Sequence, residues 1–168
     1  MNKIQNYYSC LSCEKNNFYL TKNQAEEANE AIVCKDCNTH YIFKNNILRF
    51  VYEDNYANSF GFEWSQHKKT QIDSNSQINL SKHRLQIVTN WNKDLKGQLI
   101  LEAGSGSGRF TEILARTKAD IVTFDFSDAI DVNYANNKKY KNINFFQADL
   151  LNLPLKKNIF DKILCLGV

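Results

Sequence analysis

The sequence predicts an α/β protein in which a small metal-bound β mini-domain precedes a doubly wound sheet of about four parallel strands. Two observations predict this fold class. Four cysteines stand in two C-x2-C pairs near the N-terminus, and from Gln98 onward strand-like apolar runs alternate with helix-like runs. Strands that alternate with helices build a parallel sheet covered by helices, whereas short cysteine-bearing hairpins are typical of metal-bound modules.

The composition is that of a globular protein and disfavours a nucleic-acid partner. Hydrophobic residues make up 43% and charged residues 23% of the 168, and the net charge of +3 gives no support for a nucleic-acid partner. No apolar run approaches the ~20 residues of a membrane span, and the N-terminus lacks the apolar core of a signal peptide. We therefore expect a cytoplasmic protein whose thiols are reduced. The oligomeric state is left open.

Pattern divides the chain into three segments: 1–52 with four of the five cysteines, a polar linker and pre-motif helix region at 53–97, and the alternating region at 98–168. In the alternating region we predict strands at 99–103, 121–125, 143–147 and 159–166, and helices at 109–117 and 128–138. The linker should hold a helix from Ser81, as its cap, to about Trp91. Candidates for a lid over the site are Phe62, Trp64 and Arg84. Because the last apolar strand would leave a sheet edge unpaired, we expect the native chain to continue beyond Val168.

The four paired cysteines predict a structural zinc site. The ligands would be Cys10, Cys13, Cys34 and Cys37, with twenty residues between the pairs. Two residues between thiolates allow one tight turn to aim both sulfurs at one point, and two such turns supply a tetrahedral set that suits Zn²⁺. Four protein ligands leave no position for an activated water, so the metal would stabilise the fold and take no part in catalysis. His40 is close in sequence but is not needed as a ligand.

A glycine-rich loop, Gly104-Ser105-Gly106-Ser107-Gly108, joins the first predicted strand to its helix, and an acid, Asp125, ends the next strand. Glycines at such a junction allow tight backbone turns and the close approach of a ligand. An acid at the tip of the next strand can accept hydrogen bonds from the ribose of a nucleoside-containing cofactor. The G-x-G-x-G spacing differs from the dinucleotide fingerprint G-x-G-x-x-G, which disfavours a pyrophosphate ligand.

Four motifs in order along 98–168 resemble those of class I S-adenosylmethionine-dependent methyltransferases, whose cofactor domain is Rossmann-like. They are Glu102-x-Gly104-x-Gly106-x-Gly108, Asp125-Phe126, Gln147-Ala148-Asp149-Leu150, and Phe160 to Val168. The resemblance implies that S-adenosylmethionine is the cofactor, with Glu102 and the loop at its methionine part and Asp125 at the ribose. Phe126, Ala148 and Leu150 would lie against adenine, and Asp149 would accept from its amino group. The implied cofactor-binding residues are Glu102, Ala103, Gly104, Ser105, Gly106, Gly108, Asp125, Phe126, Ala148, Asp149, Leu150 and Leu166.

Two of these residues have another interpretation from sequence alone. Asp149 also fits a cap of the turn that follows it, and Phe126 fits a residue of the core as well as a ring contact.

The second cysteine pair carries a further resemblance. Cys34-x2-Cys37-x3-Tyr41-Ile42, followed by Asn45-Asn46-Ile47-Leu48-Arg49-Phe50, is similar to the zinc ribbons that precede many bacterial methyltransferases. Those ribbons usually have Asp-Gly where this chain has Asn45-Asn46. Asn tolerates positive φ, so we expect the tight turn to be retained.

Both resemblances imply an enzyme that transfers a methyl group, by in-line displacement, to a small-molecule, glycan or lipid-precursor acceptor. Such a reaction needs aligned reactants and exclusion of water. The sequence identifies no catalytic general base, since His67 and His83 lie in the linker without evident partners. A nucleotide or dinucleotide-dependent oxidoreductase and a non-catalytic zinc-ribbon adaptor remain the alternatives. A piece that ends at Val168 would lack the acceptor-recognising strands, so we expect it to be inactive alone.

Overall fold

A computed structural model of the chain describes residues 6–22, 30–51 and 80–168. The lid candidates Phe62 and Trp64, His67, and residues 53–79 of the predicted linker lie outside these ranges. The strands are β1 (Phe18–Lys22), β2 (Glu30–Cys34), β3 (His40–Lys44), β4 (Ile47–Arg49), β5 (Leu99–Ala103), β6 (Asp120–Asp125), β7 (Ile143–Gln147) and β8 (Lys162–Cys165). The helices are α1 (Leu80–Thr89), α2 (Thr111–Ala115) and α3 (Ala129–Asn137).

The strands form one sheet in the order β1-β2-β3-β4-β7-β6-β5-β8. Strands β5 to β8 pair in parallel, with β5 between β6 and β8. Consecutive parallel strands are connected through helices or long loops, as parallel pairing requires. The predicted Rossmann-like α/β fold is therefore confirmed.

The cysteine-bearing hairpins join this parallel sheet directly. Strand β4 pairs in parallel with β7, so that Leu48 lies opposite Phe146 and Arg49 lies opposite Gln147. The turn between β3 and β4 has Asn45 at φ 54° and Asn46 at φ 64°, which is the doubly left-handed backbone that a two-residue hairpin turn of this kind requires. The Asn-Asn pair therefore makes the turn that the sequence predicted. The division of the chain at residues 52 and 97 stays a prediction.

Alternate side chains of the strands point to opposite faces of the sheet and build two cores. One face carries a cluster in which the ring of Tyr41 lies 4.7 Å from that of Phe50 and the ring of Tyr8 lies 5.3 Å from that of Phe146. This cluster spans the cysteine hairpins and the parallel strands, since it also contains Cys10, Cys34, Val122 and Phe124. The opposite face packs on the helices, as shown by Leu85 of α1, Leu114 of α2 and Ile130 of α3.

Three elements differ from their sequence predictions by two or more residues at one end or both. Strand β8 begins at Lys162 and not at 159, because Asn158 has a left-handed backbone with φ 59° and the Asp161 carboxylate accepts a hydrogen bond from the Leu99 N–H at 2.7 Å. Helix α2 ends at Ala115, since the Arg116 N–H bonds the nearer carbonyl of Ile113 and Lys118 takes φ 67°. Ser81 is not a cap but lies within α1, buried.

The Val88 side of α1 faces solvent: Val88 is 55% exposed and only Ser81 and Leu85 of this helix are buried. No helix within the described ranges has the length and apolar character needed to cross a membrane.

Candidate functional site

The glycine loop connects the carboxyl end of β5 to α2. Gly104, Gly106 and Gly108 have φ values of 66°, 52° and 90°, a region that residues with a Cβ rarely adopt. A Cβ on Gly104 would collide with the Val168 side chain, and one on Gly108 would collide with an asparagine amide of α3. Backbone conformation favours glycine at all three positions, and at Gly108 the buried asparagine amides of α3 also leave no space for a Cβ.

Asp125, at the tip of β6, turns its carboxylate toward this loop. Oδ2 accepts a hydrogen bond from the backbone N–H of Gly106 at 2.8 Å, while Oδ1 accepts from the N–H and the hydroxyl of Ser127 at 2.9 and 2.7 Å. A carboxylate offers about four acceptor positions. Three are filled in this way, so Oδ2 retains capacity for a further donor at a half-buried position beside the loop.

Glu102 lies behind the loop, between the sheet and the helices. Its side chain is buried, and Oε2 accepts from the hydroxyls of Thr111 at 2.6 Å and Thr123 at 2.8 Å. Oε1 is buried without a hydrogen-bond partner. Burial raises the pKa of the Glu102 carboxyl to about 7, although both threonine hydroxyls act to lower it and the charge of Asp125 raises it further.

Helix α3 holds the loop through three asparagines that the sequence reasoning missed. The Asn133 amide donates to the hydroxyls of Ser105 at 2.9 Å and Thr111 at 2.8 Å. Asn136 donates to the Ser107 carbonyl, and Asn137 donates to the Gly108 carbonyl. Their spacing of three and four residues places them on one face of a helix, and this spacing was the signal that could have identified them.

The remaining loop and strand residues predicted to bind the cofactor occupy different environments. Ala103 ends β5 and Ala148 follows β7, on the two sides of β6; both are buried, and the Ala148 N–H donates to the Asp125 carbonyl at 3.2 Å. Ser105 turns its hydroxyl inward to Asn133. Leu150 is exposed, and Leu166 packs on the helix side of the sheet with the cluster that contains Leu85 and Leu114.

Asp149 and Phe126 lie on the side of the cysteine hairpins. The Asp149 carboxylate accepts from the Leu151 N–H at 2.8 Å through Oδ1, so it does cap the turn after β7. Both residues also line a cavity of about 490 Å³ whose other wall is formed by the hairpins. The two sequence interpretations of Asp149, turn cap and ligand contact, are therefore compatible, since they use different oxygens.

Comparison with known proteins identifies the region that carries this loop. Residues 100–168 match the family described as "Methyltransferase domain". Phosphoethanolamine N-methyltransferase 1 of Arabidopsis thaliana is 40% identical over 62 residues, which are 36% of this chain and 13% of that protein. Phosphoethanolamine N-methyltransferase of Triticum aestivum is 30% identical over 109 residues, which are 60% of this chain and 21% of that protein. Residues 100–168 are therefore similar to a methyltransferase domain.

The fold agrees with this assignment. A crystal structure described as an S-adenosyl-L-methionine-dependent methyltransferase of Methanococcus maripaludis aligns with a TM-score of 0.50 at 19% identity, covering 67% of this chain and 51% of that one. Likeness at this identity shows the fold. The predicted relation of residues 98–168 to S-adenosylmethionine-dependent methyltransferases is confirmed. The chain spans only 13% and 21% of the length of the two plant relatives.

Ahead of the methyltransferase domain, the four predicted ligand cysteines come together. The sulfurs of Cys10, Cys13, Cys34 and Cys37 all lie within 4.8 Å of one another. The shortest separations are 3.4 Å between Cys10 and Cys37 and 3.5 Å between Cys13 and Cys34. Four sulfurs at about 2.3 Å from a tetrahedral zinc would be roughly 3.8 Å apart, so the cluster has dimensions that fit a zinc ion. His40 is not part of it.

Proposed function

We propose that this protein is an S-adenosylmethionine-dependent methyltransferase that acts on a small-molecule acceptor. The observation that carries the proposal is the convergence of the Asp125 carboxylate on the backbone of Gly106, within a domain that belongs to a methyltransferase family. Loop and acid meet from adjacent strands that are paired in register, because Ala103 lies opposite Phe124. This is the arrangement that a nucleoside with a ribose diol requires.

Different residues would bind different parts of the cofactor. The free capacity of Asp125 Oδ2 would accept a ribose hydroxyl, and the positive-φ loop would present its backbone to the methionine part. Glu102 would act from behind the loop, where it accepts a hydrogen bond from the Thr111 hydroxyl and so fixes the start of α2. Bound there, S-adenosylmethionine would supply an electrophilic methyl group on a sulfonium.

In the reaction, the chain's own residues would position the reactants and exclude water. Val168, three residues after β8, lies against Gly104, so the segment that follows β8 runs beside the loop. Methyl transfer needs donor carbon and acceptor atom in line, with a base only when the acceptor carries a proton to be lost. Phosphoethanolamine, named in the relatives, is the first acceptor to test.

The cysteine cluster would hold zinc as a structural ion. Four thiolates complete its shell, so the metal would contribute folding free energy and leave no coordination site for substrate. The hairpins that carry the ion would depend on it because they are too small to enclose a hydrophobic core of their own; their buried residues belong to a cluster shared with the parallel strands.

Binding of S-adenosylhomocysteine, measured by isothermal titration calorimetry, tests the proposal. Wild-type protein should bind, and Asp125→Ala should weaken binding about 10- to 100-fold, the range expected for loss of a charged hydrogen bond. Asp120→Ala is the matched control, because Asp120 lies at the opposite, exposed end of the same strand. Absence of binding by wild-type protein would contradict the proposal and favour the adaptor; binding of NAD in place of S-adenosylhomocysteine would favour the oxidoreductase.

A further inference from the structure

A cavity of about 490 Å³ lies where the cysteine hairpins meet the carboxyl ends of β6 and β7. Ser12, Thr39 and Ile42 line it from the hairpins, while Phe126 and Asp149 line it from the carboxyl ends of β6 and β7. Its volume falls within the range of about 300–1,000 Å³ that is typical of small-molecule pockets.

The hairpin wall of this cavity is built on the cysteine cluster itself. Ser12 lies between Cys10 and Cys13 in the first C-x2-C turn. The Thr39 hydroxyl lies 3.1 Å from the Cys37 sulfur and donates to the Ser12 hydroxyl at 3.0 Å. These contacts join the first C-x2-C turn to the segment after the second, so the position of this wall depends on the four sulfurs lying together.

A second contact ties the same wall to the cluster. The Tyr41 hydroxyl lies 3.2 Å from the Cys10 sulfur and accepts from the Leu11 N–H at 2.9 Å. Tyr41 and Leu11 both line the cavity. Any displacement of the cysteines would therefore move residues that face Phe126 and Asp149.

The domain wall offers the chemistry of a base-binding site. Phe126 supplies a flat aromatic ring, and Asp149 keeps its Oδ2 oxygen available because Oδ1 is used by the Leu151 N–H. A planar base with an exocyclic amino group could pack on the ring and donate to the carboxylate. Asp149 follows β7 and Asp125 ends β6, and these neighbouring strands pair side by side, so the cavity adjoins the position proposed for the ribose.

The resemblance implies that adenine lies against Phe126 and Asp149 in this cavity; we propose that the zinc ribbon forms the second wall of that site, with Ile42 packing on the face of the base away from Phe126. This inference rests on the proposed function. It follows that metal binding and cofactor binding are thermodynamically coupled: zinc orders the wall, so each ligand strengthens the other by the same factor.

Substitution of Ile42 tests the wall without touching the cluster. Ile42 is 39% exposed, so Ile42→Glu should be tolerated by the fold while it replaces an apolar side chain of the hairpin wall with a carboxylate. We expect at least tenfold weaker binding of S-adenosylhomocysteine by calorimetry. Lys44→Glu is the matched control, since Lys44 is exposed on the same face of β3 but does not line the cavity. It should bind like wild-type protein.

Zinc content of each variant, read from metal release on thiol titration, shows whether the hairpins are intact. If the Ile42→Glu variant loses zinc, the Ile42→Thr variant is tested in its place, because Thr keeps the β-branched shape. We then expect S-adenosylhomocysteine to bind roughly threefold more weakly than to wild-type protein. Binding by these variants that equals wild-type binding would overturn the inference and leave the proposed function standing. Failure of both wild-type and Lys44→Glu protein to bind S-adenosylhomocysteine would overturn both.

Metal removal tests the coupling. Full-length protein treated with a chelator should bind S-adenosylhomocysteine at least tenfold more weakly than zinc-loaded protein, and added Zn²⁺ should restore the affinity. The reciprocal measurement follows zinc transfer to a chromophoric chelator, which saturating S-adenosylhomocysteine should slow. Equal affinity with and without zinc would overturn the ribbon's part in the pocket.

Discussion

The guanidinium of Arg49, on the last strand of the cysteine hairpins, lies 2.8 Å from the carboxylate of Asp131 on helix α3. The Arg49 side chain is only 4% exposed, and it also donates to the Gln147 side chain at 2.9 Å and to the Lys44 carbonyl at 3.1 Å. One buried cation thus connects the hairpins, the edge of the parallel sheet and the helix that holds the glycine loop.

Loss of this cation should destabilise the whole chain. Arg49→Met removes the donor to Gln147 Oε1 and leaves Asp131 with only the Asn45 amide as a donor, and we expect the free energy of unfolding to fall by about 2–4 kcal/mol, as for broken buried ion pairs. Urea denaturation of zinc-loaded protein measures it. Lys15→Ala is the control: its pair with Asp36 is 3.5 Å long and 65% of the Lys15 side chain is exposed, so the loss should stay below about 1 kcal/mol. Equal losses would contradict the role assigned to Arg49.

The glycine loop should tolerate a side chain far less well than an open turn does. Gly108 has φ 90° and Gly97 has φ 82°, but a Cβ meets the α3 amides at Gly108 and nothing within 4 Å at Gly97. Gly97→Ala should therefore cost only the backbone strain of about 1–2 kcal/mol. Gly108→Ala should cost more than about 3 kcal/mol, because it also disrupts the bonds of Asn133 and Asn137. Similar costs in urea denaturation would show that space is not limiting at the loop.

Stability should depend on pH through Glu102. Folding raises the pKa of its carboxyl from 4.5 to about 7, so between these values the folded state retains a proton that the unfolded state has lost. The free energy of unfolding therefore falls as pH rises through this window, by on the order of 3 kcal/mol in total. Glu102→Gln, which still accepts from the threonines, should lack this component. The difference between wild-type and variant stability, measured at pH 5 and pH 8 with zinc bound, should change by about 2–3 kcal/mol; parallel profiles would contradict the assignment.

Zinc should be required for the hairpins and should also support the domain beside them. Cys37→Ser removes one ligand at an exposed position, so it should abolish stoichiometric zinc binding and lower the melting temperature. Cys165→Ser is the matched control, because Cys165 is exposed too and lies outside the cluster. It should keep both zinc and melting temperature. Stoichiometric zinc in Cys37→Ser, measured by atomic absorption, would contradict the four-sulfur site.

Local sequence predicted the elements whose signal is short-range. Strands 99–103 and 143–147 have the bounds that the sequence predicted, since apolar alternation and flanking turns specify a buried strand from its own residues. The Asn45-Asn46 turn was predictable because its two residues define the geometry, and the four-cysteine cluster because its spacing is typical of a zinc site.

Other features could not be read from the sequence because they depend on which elements meet. The three asparagines of α3 are ordinary helix residues until the fold places them against the loop, where their amides satisfy its carbonyls and hydroxyls. Glu102 occupies the position of a ligand-binding acid in its motif. That its carboxylate accepts hydrogen bonds from Thr111 and Thr123 is visible only in the folded structure.

The sequence by itself determined that this chain has a methyltransferase-type glycine loop with its partner acid and a four-cysteine cluster, because each is encoded by residue type and spacing within short segments. Tertiary structure alone decided that the two parts share one sheet and one core. The pairing of β4 with β7 and the burial of Arg49 join residues about 80 to 100 positions apart, and such contacts arise only when the global fold offsets the entropy of closing long loops.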